Sequence, residues 1–364
     1  MAIYYSNSDY STLLHIPECS EWNKLIPEDA SQIQLALIPY DVKNQFEKLH
    51  SENFDGIKWQ ENIQLLKLDK KNTVDIDETG EIQINYIKSR ESKNSYIEKV
   101  NKLKQHIQQG EIYEVNFCIE FYAENVSLNP FQLYKKLIAI SPMPFSCFIK
   151  HENKYLICAS PERFLKKNNN NLLSQPIKGT IKRADNAKED ALLKEELSSS
   201  TKEKSENVMI VDLVRNDLSR IAEKGSVKVN ELFGIYSFPQ WYQMISTISC
   251  TLKEGKSFDD ILKATFPMGS MTGAPKISAM QLIEKYESTK RGMYSGSVGI
   301  ILPNSDFDLN VVIRSIQYNS ETGYLSFMVG SAITILSDAE KEYEECLLKA
   351  NAILSVLGNP KLEN

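Results

Sequence analysis

The chain has 364 residues, 42% hydrophobic and 25% charged, a balance that excludes a disordered polymer, a collagen-like repeat and a coiled-coil rod. With 42 basic against 48 acidic residues the net charge is −6, so nucleic acid is not an expected partner. At roughly 100–200 residues per domain, the length allows two or three domains or one large one.

The opening residues, MAIYYSNSDYS, lack the basic start and apolar core of a secretory signal. No stretch reaches the roughly 18 apolar residues that a membrane helix needs, so no membrane contact is expected. Cys19, Cys118, Cys147, Cys158, Cys250 and Cys346 show no CxxC pairing, and the four histidines are scattered. This argues against a structural zinc site or a disulfide framework, and for a reduced, cytoplasmic protein. Cys118, Cys147 and Cys158 lie in apolar runs and read as packing residues.

Residues 1–90 read as an N-terminal strand-rich scaffold region, with DIDETGEI as turns between short strands, and no chemistry attaches to them. From Ser92 the signals sharpen. Tyr96 to Gly110 has helical spacing, with Ile97, Val100, Leu103 and Ile107 on one face and Gly110 as the stop. EIYEVNFCIEFYAE reads as a strand, and KYLICASPERF and LLSQPIKGTIKR as two more, with Asn168 to Asn171 as a hairpin tip between them. A long helical region spans Asp185 to Leu218. Strands follow near Val227 and Ile245, then a helix after Pro275, then strands in SGSVGIIL, LNVVIRSIQ and GYLSFMVGSAIT. A last helix runs from about Asp338 to Leu357. Strands interleaved with helices indicate an α+β architecture. No flexible linker divides residues 91–358, which read as one catalytic domain with 359–364 as a C-terminal tail.

Two helices misplace their acids. Glu203, Glu206, Ile210 and Val214 share one stripe, and Glu342, Glu345, Lys349 and Ile353 share another. Carboxylates that extend an apolar stripe are costly unless paired or bound to a cation, and two pairs on two helices suit a hard cation such as Mg²⁺. The plain alternative is a solvated helix end, with Glu345 paired to Lys349 at i,i+4.

The series SPERF, PIKGT, ENVMIVDLVRNDLSRIA, FPMGSMTGAPK, RGMYSGSVG, VVIRS and the terminal acidic helix, in that order, resembles the chorismate-utilising enzymes over about residues 92–357. That family includes anthranilate, aminodeoxychorismate, isochorismate and salicylate synthases. The resemblance implies large mixed or antiparallel sheets with flanking helices, and a Mg²⁺ site with Glu206 and Glu345 as ligands and Glu203 and Glu342 behind them. It also implies that Arg314, Tyr294 and backbone N–H groups around Gly330 bind the enolpyruvyl carboxylate, and that Lys349 and Thr180 lie around the ring carboxylate. Glu162 would be the general acid. Without the resemblance, Arg314 reads as a strand-edge ion-pair partner, Tyr294 as a packing aromatic, and Glu162 as a cap or a partner of Arg163. FPMGSMTGAPK does not meet the phosphate-loop pattern and reads as a pocket-shaping loop and helix start.

Within the family, Lys178 in PIKGT resembles the members that form 4-amino-4-deoxychorismate, on the way to p-aminobenzoate and folate; anthranilate-forming members usually have Ala there. A lysine amine that attacks the ring and is then displaced by ammonia accounts for amination with retained stereochemistry, and requires Lys178 to be neutral, by desolvation or a nearby cation. Two positions depart from the family. Glu114 stands where aminating members more often have Gln and hydroxylating members have Lys, and reads either as a contact for incoming ammonia or as tied to a neighbour; Gln243 stands where His is common, a substrate-binding position at which Gln donates a hydrogen bond but cannot carry charge or shuttle a proton. With no glutaminase half recognisable, ammonia is expected from a glutamine amidotransferase subunit or from solution. Anthranilate synthase component I, another chorismate enzyme, or a weakly active regulatory subunit remain as alternatives.

Overall fold

In the computed structural model, residues 2–7, 10–16, 20–24, 33–68 and 84–363 are described; Cys19 and DIDETGEI fall outside them. Among the described residues the strands form two sheets, one of ten and one of nine strands. Pairing is antiparallel except where Lys361–Glu363 runs parallel to Tyr86–Ser89. The N-terminal region contributes to both sheets. Ala2–Asn7 and Tyr10–His15 extend the first sheet beside Phe145–His151, while Gln34–Ile38 and Gln64–Lys67 extend the second beside Ser297–Ile301.

The layering follows from period-two alternation. Leu35, Leu37, Val298 and Ile300 from the second sheet share one buried cluster with Cys147, Ile149, Leu156 and Cys158 from the first, so the sheets face each other. Alternate residues look the other way. Phe148, Ile157 and Phe327 pack with Tyr96, Leu103, Tyr134, Cys346 and Ile353 of the helices Lys93–Gln108, Pro130–Ile140 and Ala339–Val356. Phe164, Leu172 and Ile248 pack with Ile210, Val214 and Leu218 of the helix Thr201–Ser219 and with Leu262. Five cysteines, Cys118, Cys147, Cys158, Cys250 and Cys346, are free and buried among the described residues.

The hairpin at 168–171 forms as expected, with Asn168 opposite Asn171 and Asn169 in the left-handed region at φ 53°. The last helix starts one residue after its Asp338 cap, whose side chain accepts from the N–H groups of Glu340 and Lys341. Four expectations need correction. LLSQPIKGTIKR is two strands, Asn171–Gln175 and Ile177–Lys182, parted at Pro176 and both paired with Trp241–Thr251. The region Asp185–Leu218 is two helices, Ala187–Ser199 and Thr201–Ser219, because Ser200 is extended and caps the second. KYLICASPERF is two strands: Lys154–Ser160 belongs to the first sheet and Arg163–Asn168 to the second. LNVVIRSIQ likewise splits into Phe307–Asn310 in the second sheet and Ser315–Asn319 in the first, with Arg314 at φ 49° in the break. Both apolar runs look continuous because the chain stays buried while it changes sheet.

Candidate active site

The two sheet crossings lie side by side. Ala159 N–H donates to Arg314 O at 3.1 Å, Val311 N–H to Glu162 O at 3.0 Å, and Ser160 Oγ to Val311 O at 2.6 Å. Glu162 and Arg314 are thereby fixed by backbone at one seam. The Glu162 carboxyl is buried and accepts from Ser270 Oγ at 2.8 Å. Burial pushes its pKa up to about 7, against the Ser270 hydrogen bond and the positive charges of Lys178 and Arg314. Arg163 is not its partner: that guanidinium forks onto Asp308 at 2.8 and 2.9 Å. Arg314 has no carboxylate within ion-pair distance among the described residues. Its guanidinium stands 5.7 Å from the Trp241 ring and reaches Met143 Sδ at 3.7 Å, and burial lowers its pKa to about 10. A desolvated guanidinium without an anion is a ready receptor for a carboxylate.

Lys178 sits in a bulge. Between Ile177, opposite Ile245, and Thr180, opposite Gln243, the strand Ile177–Lys182 carries one extra residue. Gly179 supplies the turn at φ +92°, where a Cβ would lie 3.1 Å from both Glu203 Oε2 and Leu197 Cδ1. The Lys178 Nζ donates to Glu114 Oε1 at 2.9 Å, with 13% of the Lys178 side chain and 2% of Glu114 exposed. Burial would lower the pKa of Lys178, but Glu114, Glu206 and Glu162 outweigh it and the net direction is upward. The neutral amine expected from the sequence is therefore corrected: as the structure stands, Lys178 is an ammonium held by acids.

The four helix acids all act on the charge of the largely exposed Lys202. Its charge interacts with Glu206, Glu345, Glu203 and Glu342, in that order, and its Nζ lies 3.9 Å from Glu206 Oε1. Burial raises the pKa of Glu206. For Glu345 burial acts upward too, yet Lys349, Lys202 and Lys178 leave the net direction downward. The i,i+4 pair is present as well, with Lys349 Nζ 2.8 Å from Glu345 and donating at 2.8 Å to Gly330 O. The acids form an open set, since among the described residues no three His, Cys, Asp or Glu side chains gather into a metal-holding group.

Gly330 lets two strands close up, because a Cβ there would meet Cys118 Sγ at 2.6 Å. Tyr294 is buried in the same quarter, with its pKa pushed well up by burial and by Cys118. Gln243 is buried, and its Oε1 lacks a hydrogen-bond partner; its register partner Thr180 is exposed.

The model of the chorismate binding enzyme family matches residues 16–355. The chain belongs to that family. The match extends well N-terminal to the 92–357 stretch carrying the motifs, in keeping with the strands that the first 90 residues supply to both sheets. Similar curated relatives include a probable aminodeoxychorismate synthase, chloroplastic, from Oryza sativa subsp. japonica, 42% identical over 73% of this chain and 30% of its own length. Aminodeoxychorismate synthase component 1 of Bacillus subtilis is 38% identical over 73% of this chain and 56% of its own length. The Escherichia coli protein of that name is 33% identical over 94% and 73%. The chain thus spans about a third to three quarters of these relatives. Anthranilate synthase component I from Streptococcus pneumoniae superposes with a TM-score of 0.78 at 23% identity, covering 97% of this chain and 90% of that one. That likeness establishes the fold.

In this member of the chorismate binding family, Lys178, Glu114, Glu162, Arg314, Glu206 and Glu345 form one electrostatic neighbourhood. Thr180 and Gln243 flank it through the bulged strand, and Gly330 and Lys349 join it through Glu345. Ser270, Trp241 and Lys202 were not singled out from the sequence. Lys202 carried a readable signal, four residues before Glu206 on the same helix. Ser270 lies inside FPMGSMTGAPK, the pocket-shaping segment. Nothing local pointed to Trp241.

Proposed function

We propose that this chain aminates chorismate with ammonia to 4-amino-4-deoxychorismate, upstream of p-aminobenzoate and folate, with Lys178 as nucleophile and Glu162 as general acid. The observation that carries the reading is Lys178 itself: a largely enclosed amine in a strand bulge, electrostatically coupled to a carboxyl that keeps its proton to about pH 7. The names borne by the relatives from rice, Bacillus subtilis and Escherichia coli support the same reaction.

Glu162 protonates the departing ring hydroxyl, a role that a carboxyl with a pKa near 7 performs at neutral pH. Arg314 receives the enolpyruvyl carboxylate with two parallel N–H donors, and Tyr294 and the Gly330 backbone border that end of the substrate. Lys349 and Thr180 lie around the ring carboxylate, and Gln243 offers a hydrogen bond but no proton shuttle.

Glu206 and Glu345, with Glu203 and Glu342 behind them, would hold Mg²⁺. The Lys202 ammonium, 3.9 Å from Glu206 and acted on by all four acids, supports the fit, and Mg²⁺ needs only one or two protein carboxylates beside waters and substrate oxygens. When bound, Mg²⁺ supplies Lewis-acid polarisation and orientation of a carboxylate. Ammonia is proposed to come from a glutamine amidotransferase partner or from solution, in the cytoplasm.

The test is product identity. Incubated with chorismate, Mg²⁺ and ammonium, the protein is expected to yield 4-amino-4-deoxychorismate with the pyruvyl group retained. Fluorescent anthranilate with released pyruvate, in the absence of any added lyase, would assign it to anthranilate synthesis instead.

A further inference from the structure

Lys178 is held in the wrong protonation state for attack, and the structure also holds the group that can correct it. Glu114 opens the strand Glu114–Ala123 and is fixed by the backbone. It pairs in register with Ala274, and the preceding Tyr113 N–H donates to Ala274 O at 2.7 Å. The residue is 1% exposed. Its Oε1 takes the Lys178 ammonium at 2.9 Å, while its Oε2 is buried with no hydrogen-bond partner. Other acids face Lys178 from further elements: Glu206 from the helix Thr201–Ser219, Glu162 from the sheet crossing, and Glu345 from the helix Ala339–Val356. None of these three is within ion-pair distance of its Nζ, so Glu114 alone has the reach for a direct proton transfer.

We propose that Glu114 is the proton acceptor that activates Lys178, taking one proton from Nζ across their hydrogen bond to leave a neutral amine beside a neutral carboxylic acid. Two buried charges become two buried neutral groups, which removes the desolvation cost of the ion pair. The unpartnered Oε2 is spare acceptor capacity that a purely structural ion pair does not need.

The inference rests on Lys178 acting as nucleophile in the proposed amination, and the protons balance through that cycle. The neutral amine bonds to the ring carbon as the C–O bond breaks, and the hydroxyl leaves as water with the Glu162 proton. Ammonia then bonds to the same carbon as the Nζ–C bond breaks. The product ammonium returns a proton to Glu162, and the freed amine recovers its own from Glu114.

Two measurements on Glu114→Gln test this. The first needs no chorismate: labelling of Lys178 by acetic anhydride as a function of pH, read by peptide mass spectrometry with Lys178→Ala as blank. Loss of the acid is expected to move the labelling midpoint of Lys178 down by about one pH unit or more; an unmoved midpoint would overturn the pairing. The second is the pH profile of the rate at which Lys178 forms its chorismate adduct, with ammonium withheld. With Glu114 in place the proton stays inside the pair, so this rate is flat from pH 5 to 6. In Glu114→Gln the proton must go to solvent, so the rate falls on the order of 10²-fold at pH 6 and climbs tenfold per pH unit between 5 and 6. Parallel profiles would overturn the proposal, as would a Glu114→Gln defect independent of pH. If chorismate amination itself is wrong, the product assay fails while the labelling shift remains.

Discussion

The backbone N–H of Val311 donates to the carbonyl of Glu162 at 3.0 Å, across residues 149 positions apart, and this bond ties together the two places where the chain passes from one sheet to the other. Glu162 and Arg314, the proposed general acid and carboxylate receptor, are therefore set by main chain at the seam of the fold. Such placement is what precise substrate orientation needs.

Glu162 is expected to exchange stability for activity. Its folded pKa, about 7, lies above the unfolded carboxyl value, so between about pH 4.3 and 7 the folded state keeps a proton that the unfolded chain has released. Stability contributed by this group is fully present below the unfolded value and is lost as pH rises through 7. Glu162→Gln should abolish turnover and raise unfolding free energy at pH 8 by about 3 kcal/mol, measured by denaturant titration at pH 5 and pH 8. The gain should shrink to about 1 kcal/mol at the lower pH. In the unsubstituted enzyme kcat should fall above pH 7 as the acid deprotonates.

Arg314 is half-buried and has no carboxylate within ion-pair distance among the described residues, so removing it should harm binding more than folding. Arg314→Ala is expected to raise KM for chorismate about 10- to 100-fold, the worth of a charge-assisted hydrogen-bonded contact. The melting temperature should be unchanged or higher. Arg314→Lys should recover little, because a point charge cannot fork onto a planar carboxylate. Steady-state kinetics and a thermal melt decide it, and an unchanged KM would remove Arg314 from the site.

Glu345→Gln should cripple turnover and weaken the dependence on added Mg²⁺ about 10- to 100-fold with the fold intact. The check is a metal titration of kcat beside far-UV circular dichroism. Unchanged kinetics would leave Glu345 as no more than the ion-pair partner of Lys349.

At φ +92°, with Glu203 and Leu197 closing on it, Gly179 has no room or freedom for a side chain. Gly179→Ala is expected to cost about 1–3 kcal/mol from the backbone strain and to displace Lys178 from Glu114. Denaturant titration and turnover should both register it.

The helices were legible because each buries one stripe: Ile210 and Val214, or Cys346 and Ile353, mark their faces at helical spacing. The hairpin at 168–171 was legible from local chemistry. What could not be read was where the chain changes sheet. Pro161 and Glu162 stand at the break in ICASPERF and Arg314 at the break in VVIRSI, but such residues mark a bulge or a strand edge as readily as a change of sheet. The pairing of Lys178 with Glu114 spans 64 positions, beyond any local pattern, and the protonation state of the lysine depends on it. Burial alone argued for a neutral amine; three carboxylates brought in by separate elements reversed the sign.

The proposed chemistry turns on one bond, between Lys178 Nζ and the ring of chorismate. The most direct measurement is peptide mass spectrometry of the protein quenched during turnover with chorismate and Mg²⁺, with ammonium withheld. The result expected is a mass increase on Lys178 equal to chorismate less water, discharged when ammonium is added and missing in Lys178→Ala. An unmodified Lys178 under conditions where aminated product accumulates on addition of ammonium would contradict it.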